Sequence, residues 1–441
     1  MKKLFTVFLI TLLLNGTAGS QQQARILYVV NNLGESLSMI DLNTGTVVND
    51  ILILGNVPND LRIQGSTAYV VNSTSVDINI IDLVTNTKMS VITLLPDSNP
   101  WELLVEQNRV FVTNSKLNSL SVIDLVTGTM TDEIPVGMWP QGMVLIGDRL
   151  YVTNTGFDIN SFTYSQGTVS IIDTQSGSVA GTLVVPLNPT ALKMGQDGRV
   201  YVLCTGDYSG EFGRIAVIDP TAGPGGTPAV VDTFDTGESP GDIAVTDGGN
   251  IFIAAVGGWN PGDDGHVFLY DITADSLVHG PSNPLITAAG AMRIIDDPES
   301  GAIYVSCFAN DQVQALDPVS GAVTATYDVG DGPQAMAIFA DVVSAVDEDS
   351  PLLPGTFRLE QNYPNPFNPA ATISYSIPKD GHVTLTVYSV TGQTAAVPVN
   401  EFQTAGSRSV PFDASGLASG MYLYTLKTSQ GSITRKMLVV K

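Results

Sequence analysis

The chain repeats itself. The run Tyr28–Asp41, YVVNNLGESLSMID, returns as Tyr69–Asp82 (YVVNSTSVDINIID) and as Phe111–Asp124 (FVTNSKLNSLSVID). Four looser copies begin at Tyr151, Tyr201, Phe252 and Tyr304 and end at Asp173, Asp219, Asp271 and Asp317. Successive aromatic starts lie 41, 42, 40, 50, 51 and 52 residues apart. A near-constant spacing of this size calls for stacked or radial units, because one such unit cannot bury its apolar face alone.

Each unit reads as short strands and tight turns. YVVN and SMID are strand-length and rich in β-branched and aromatic residues. The closing Asp opens a turn, as in DLNTGT, DLVTNT and DLVTGT. The fourth residue after it is Gly45, Asn86, Gly128, Gly177, Gly223, Asp275 or Gly321, the residue types that tolerate a left-handed backbone. That equivalence predicts positive φ at Asn86 and Asp275. An outer strand follows, such as Thr46–Leu54, then a loop with a Pro and an inner strand, such as Trp101–Val105 or Gln141–Ile146. Four strands per unit at this period make a β-propeller blade. The first unit lacks an inner strand, and Gln334–Phe339 after the seventh is an inner strand without a blade. The two ends therefore complete one blade beside Leu27–Asn31, giving a closed ring of seven.

The residues that carry this pattern resemble the YVTN family of seven-bladed propellers over about residues 25–343. Tyr151-Val152-Thr153-Asn154 is a literal match, although Cys204, Ala255 and Cys307 stand where Asn stands in the earlier copies. The resemblance implies the fold. Its members include extracellular and surface-layer proteins, and some relatives are lactonase-like enzymes.

Residues 1–20 read as a secretory signal peptide: Lys2 and Lys3, an apolar run Leu4–Leu14 too short to span a bilayer, then small residues Ala18-Gly19-Ser20. No transmembrane segment is expected in the mature chain. Residues 344–357 read as an acidic, Pro-containing linker. Residues 358–441 differ in texture and charge, with 4 acidic and 7 basic residues after position 349 against 39 and 12 before it. Their strand patterns, Thr372–Ile377, Val383–Val390, Arg408–Asp413, Met421–Thr428 and Ile433–Val440, suggest a small immunoglobulin-like sandwich. The fold class expected is thus all-β, a seven-bladed propeller followed by that sandwich. The tail resembles the type A C-terminal sorting domain of the type IX secretion system through Asn362, Tyr363, Pro364, Asn365, Pro366, Phe367, Asn368 and Pro369, then Gly420, Tyr422 and Lys436. The resemblance implies a cargo of the type IX machinery, exported to the surface of a Gram-negative cell or beyond it.

The acidic body repels phosphate backbones, which excludes nucleic acid as a partner. No cofactor motif is evident; calcium, a hard cation with oxygen ligands, is the one ion the composition suits. Cys204 and Cys307 occupy the same repeat position with a blade between them and are expected to be unbridged. No zinc-protease, haem or nucleophile-elbow motif occurs, so no catalytic residue is assigned.

Two constellations remain. Insertions at Thr155–Gly167, Thr205–Gly213 and Val256–Gly265 should rise on one face of three adjacent blades. With the Pro loops they would gather Trp101, Trp139, Trp259, Tyr164 and Tyr208 into a surface for a glycan or other surface ligand, Trp259 being the expected anchor. At the channel mouth, Asp60, Glu102 and Asp242 stand two residues after the loop Pro. Arg62, Lys193 and Arg293 are expected two residues deeper, where a metal or polar substrate would meet them. The first constellation suits a non-catalytic binding protein. The second suits an extracellular lactonase-like or hydrolytic enzyme.

Overall fold

The computed structural model describes residues 25–257, 265–287, 290–340, 358–359, 362, 367–377, 379–389, 393–418, 420–428 and 431–439. The chain divides into two compact units, residues 1–343 and 344–441.

Among the described residues the first unit holds seven antiparallel blade sheets and a two-stranded one, Phe157–Asp158 with Thr163–Tyr164, in the blade 4 insertion. Blade 1 is Pro333–Ala340, Arg25–Asn31, Ser36–Asp41 and Thr46–Ile53, running from the innermost strand to the outermost. Blades 2 to 7 begin with the inner strands Pro58–Gln64, Pro100–Glu106, Pro140–Ile146, Pro189–Met194, Pro240–Val245 and Ala291–Asp296. These seven inner strands touch one another in a closed circle. As the sequence predicts, the ends of the chain share blade 1: Leu27 pairs with Ile338 and Val29 with Met336. Arg25 adds a latch to blade 7 through Asp297 and, at 3.2 Å, Glu299.

The aromatic that starts each repeat packs across a blade junction. Tyr28 lies in an apolar cluster with Leu61 and Val70 of blade 2, Tyr69 with Leu103 and Val112 of blade 3, and Phe111 with Met143 and Val152 of blade 4. Tyr151, Tyr201, Phe252 and Tyr304 continue the series around to blade 1. All seven rings are buried. An aromatic there joins two sheets that have no strand pairing with each other.

Two more features of the repeat find their cause. In the turn after the third strand, Asp41 Oδ1 accepts the N–H groups of Asn43 and Thr44, at 2.9 and 3.2 Å, and the Gly45 N–H closes on the Asp41 carbonyl. Asn86 and Asp275 both sit at φ 50°, as predicted, beside Gly45, Gly128, Gly177 and Gly321. Gly223 is the exception. In blade 5 the strand runs on to Gly223, which pairs with Thr227, and Gly225 and Gly226 take the left-handed positions instead. The added Gly-Pro-Gly-Gly of this copy moves the turn outward.

The second feature is the coupling of the Gly three residues before the loop Pro to the Asn at the end of YVxN. A Cβ on Gly55 would lie 2.6 Å from the Asn72 carboxamide carbon, and one on Gly137 would lie 2.5 Å from that of Asn154. The Asn side chain donates to hydroxyls of the third strand, for example Asn114 Nδ2 to Ser119 and Ser121 at 3.0 and 2.8 Å. The two motif positions are thus one contact. Cys204 and Cys307, at the Asn position, are buried free thiols.

The second unit has one sheet of Arg358–Leu359, Ala370–Ile377 and Gly406–Asp413, and another of Thr394–Gln403, Gly381–Ser389, Gly420–Thr428 and Gly431–Val439. Both sheets contribute to one core that includes Ile373, Tyr375, Leu385, Tyr424 and Leu426. The strand Thr394–Gln403 was not expected from sequence. Its Pro398 argues against a central strand, and the structure places it at a sheet edge, where a missing N–H can be tolerated.

Candidate functional site

The channel charges come from the inner strands. Asp60, Glu102 and Asp242 share one level, each two residues into its strand, and line a narrow central cavity of about 30 Å³ with Arg62, Lys193 and Arg293. Their carboxylates are engaged by the neighbouring blade. Asp60 Oδ2 accepts the N–H of Leu103, Glu102 Oε1 that of Met143 and Asp242 Oδ2 that of Ile294, each at 3.1 Å. Arg62 bridges Asp60 and Glu102, at 3.1 and 3.0 Å. Burial pushes the Glu102 carboxyl above the usual carboxylate range, and the Arg62 guanidinium pulls the other way.

Arg293 corrects the sequence reading. It pairs with Ser306 as Asp242 pairs with Ala254, so it occupies the level of the acids and is not two residues deeper. Blade 7 begins with Ala291 where other blades have Pro, and counting from a Pro fails there. From this level Arg293 Nε donates to the Gln334 carbonyl of blade 1 at 3.3 Å, with its Nη1 3.9 Å from Asp242. Arg62 and Lys193 do lie at the deeper level, opposite Tyr69 and Tyr201. Among the described residues no group of three His, Cys, Asp or Glu side chains is placed to hold a metal ion.

The loop face is built differently. The insertions of blades 4 and 5 bond to the loops that precede the inner strands: Thr155 N–H donates to the Trp139 carbonyl at 3.2 Å and Thr205 N–H to that of Asn188 at 2.8 Å. They share a face, as predicted. Trp139 meets Phe157 edge-on at 5.1 Å, Phe157 meets Tyr164 at 5.2 Å, and Tyr164 meets Tyr208 of blade 5 at 6.4 Å. Phe162 joins Phe157 at 6.1 Å. The result is a continuous aromatic shelf crossing one blade junction. Phe162 and Tyr208 are 76% and 59% exposed, so the shelf opens to solvent. Burial pushes the Tyr164 phenol up to about 12, which keeps its hydroxyl protonated.

The backbone presents these rings in an uncommon way. Trp139, Phe162 and Tyr208 have φ of 54°, 54° and 61°, a left-handed region that bulky residues seldom occupy. At Trp139 the cause is the blade itself: Val57, Asn99 and Asn188, which also precede a loop Pro, take φ of 56°, 47° and 58°. The Trp139 N–H is fixed by Asn118 Oδ1 of blade 3 at 2.8 Å. In the next insertion Asp207 Oδ1 accepts three N–H groups, from Ser209, Gly210 and Glu211, which folds the loop under Tyr208.

Of the aromatics singled out from sequence, Trp139, Tyr164 and Tyr208 are brought together. Trp101 is not: it lies within the inner strand Pro100–Glu106 instead of a loop and makes no ring contact among the described residues. Trp259 and the Asp263-Asp264 pair lie outside the described residues. The role of Phe157 as the hub was not legible in the sequence, since it depends on how the insertion folds back. Of the tail residues, Phe367 is buried and bridges to Val439, Asn362 N–H donates to the Tyr424 hydroxyl at 2.8 Å, and Asn368 and Pro369 are exposed. The Tyr422 hydroxyl donates to the Ala418 carbonyl at 3.2 Å and Gly420 opens its strand. Tyr363, Pro364, Asn365, Pro366 and the side chain of Lys436 lie outside the described residues.

The fold and the loops define a seven-bladed propeller that carries a separate C-terminal unit. Residues 361–441 match the family model of the secretion system C-terminal sorting domain. The protein is therefore a type IX secretion cargo, and it works at the cell surface or outside the cell. The chain is similar in fold to a protein from Lactobacillus plantarum, with a TM-score of 0.56 and 18% identity over 72% of this chain and 100% of that one. A putative 6-phosphogluconolactonase from Bacteroides fragilis NCTC 9343 gives 0.55 at 14% identity, over 73% and 100%. Hydrazine synthase of Kuenenia stuttgartiensis gives 0.53 at 17%, over 65% and 96%. At these identities the likeness is one of fold. No curated protein matches the chain.

Proposed function

We propose that this is an exported, non-catalytic binding propeller of the YVTN type, and that the shelf of blades 4 and 5 is its ligand site. The ligand proposed is a neutral glycan. The observation that carries this reading is the unbroken ring contact from Trp139 through Phe157 and Tyr164 to Tyr208, with exposed rings along it. Sugar rings present C–H faces that stack on aromatics and hydroxyls that bond to polar edges. Asp158, Asn160 and Gln166 supply such edges, and Asp158, Asp207 and Glu211 disfavour anionic chains. The enzyme reading has less support, because the channel carboxylates already accept backbone N–H groups and face arginines.

The test is a glycan array probed with the wild-type chain, Tyr208→Ala and Val84→Ser, the last a surface change at the turn end of blade 2. The expected outcome is neutral-glycan signal for wild type and Val84→Ser, lost or weakened about tenfold in Tyr208→Ala. Signal unaffected by Tyr208→Ala would refute the site assignment.

A further inference from the structure

Touching rings of the shelf are not coplanar. Trp139 and Phe157 stand at 78°, Phe157 and Tyr164 at 47°, and Tyr164 and Tyr208 at 48°. Phe162 meets Phe157 at 74°. The path along them is set before any ligand arrives. Asn118 fixes the Trp139 N–H from blade 3. Asn188, buried at the junction of blades 4 and 5, donates through Nδ2 to the Gly206 carbonyl at 2.9 Å. Its carboxamide also engages the hydroxyls of Tyr164 and Tyr208, so one side chain ties the two insertions together. Rings tied in this way lose little freedom on binding, which favours a ligand whose own shape follows theirs.

We propose that the shelf takes an internal run of a single hydrated polysaccharide chain, and not a crystalline surface or a lone terminal sugar; this rests on the glycan reading above. The length follows from the spacing. The centre-to-centre steps of 5.1, 5.2 and 6.4 Å are each about the advance of one pyranose along an extended chain. Four rings in series therefore meet successive units of one strand, each contact adding to the last. The physical form follows from the tilts. Chains in a crystalline polysaccharide are flat and locked in register, and offer their faces in one plane. A solvated chain turns from unit to unit and can follow rings that turn by 47° to 78° per step. Phe162 and Tyr208 are exposed, so the chain has room to run on past them.

Two assays on the full-length protein test this. In calorimetry with cello- and xylo-oligosaccharides, binding should tighten about tenfold from disaccharide to tetrasaccharide and little beyond it, with methyl glycosides equal to free ends. Tyr208→Ala should lose most of that gain with length. In retention assays the protein should be held by phosphoric-acid-swollen cellulose or by xylan cast in a gel, and not by microcrystalline cellulose. Full affinity for a disaccharide, or equal retention on microcrystalline cellulose, would overturn the proposal and leave the glycan site standing. No binding by any chain, or an unchanged series in Tyr208→Ala, would overturn the glycan reading of the shelf and this proposal with it.

Discussion

Asp60 of blade 2 accepts the backbone N–H of Leu103 in blade 3 at 3.1 Å. The same relationship joins Glu102 to Met143 and Asp242 to Ile294, and Arg293 uses the complementary group, the Gln334 carbonyl. A charged side chain at this level is therefore an inter-blade staple first. Replacing Asp60 with Ala leaves the Leu103 N–H without its acceptor and Arg62 with Glu102 alone, at an expected cost of about 2–4 kcal/mol. Asp60→Asn keeps the acceptor and should cost less. Urea midpoints of the two variants check the order.

The aromatic wedge gives a second expectation. Phe111 is buried between blades 3 and 4. Phe111→Ala should cost about 3–5 kcal/mol, and Phe111→Leu clearly less, because the cavity left is smaller. A loss under about 1 kcal/mol for Phe111→Ala would mean the blades do not depend on this contact.

Two glycines should respond in opposite order to their backbone angles. Gly128 sits at φ 67° with nothing within 4 Å of an added Cβ, so Gly128→Ala should cost about 1–2 kcal/mol from the backbone alone. Gly137 has no positive φ, but its Cβ would lie 2.5 Å from the Asn154 carboxamide carbon. Gly137→Ala should be the more damaging of the two by thermal melt. Adding Asn154→Ala should recover part of the loss.

The turn carboxylates set the acid limit. Hydrogen bonds, led by those from Thr127, Ser176, Thr221 and Ser320, hold Asp124, Asp173, Asp219 and Asp317 below the usual carboxylate range. A lowered folded value contributes stability that is present above the unfolded value, near 3.9, and is lost as pH falls through the folded one. Glu102 has the opposite sign: its raised value favours the fold at low pH and that part is lost as pH rises. The melting temperature should therefore fall steeply below about pH 4, less so in Asp124→Asn. Glu102→Gln, which keeps an acceptor for Met143, should flatten that loss as pH rises above the ordinary glutamate value of about 4.3.

The ring was legible because its determinants are local and repeated. Tyr28, the Asp turn and the loop Pro recur at fixed offsets, and each does the same physical task in every blade. What failed were positions where one copy breaks the offset. Arg293 was misplaced because Ala291 stands where a Pro was being counted. Gly223 was misplaced because its copy has extra turn residues. Thr394–Gln403 was missed because Pro398 reads as a breaker until its edge position is known. The loop face was legible as a location, but not as a shelf. Nothing in the residue types of Trp139 or Phe162 signals a left-handed backbone, and the contact of Phe157 with three other rings follows from it.

The central claim is that the shelf is the ligand site. Its most direct test is a crystal structure of the full chain soaked with a neutral oligosaccharide, such as cellohexaose or xylohexaose, chosen from the array. The account predicts sugar rings stacked along Trp139, Phe157, Tyr164 and Tyr208 across the junction of blades 4 and 5. Sugar bound at the channel axis or on the Asp-turn face, with these rings bare, would contradict it.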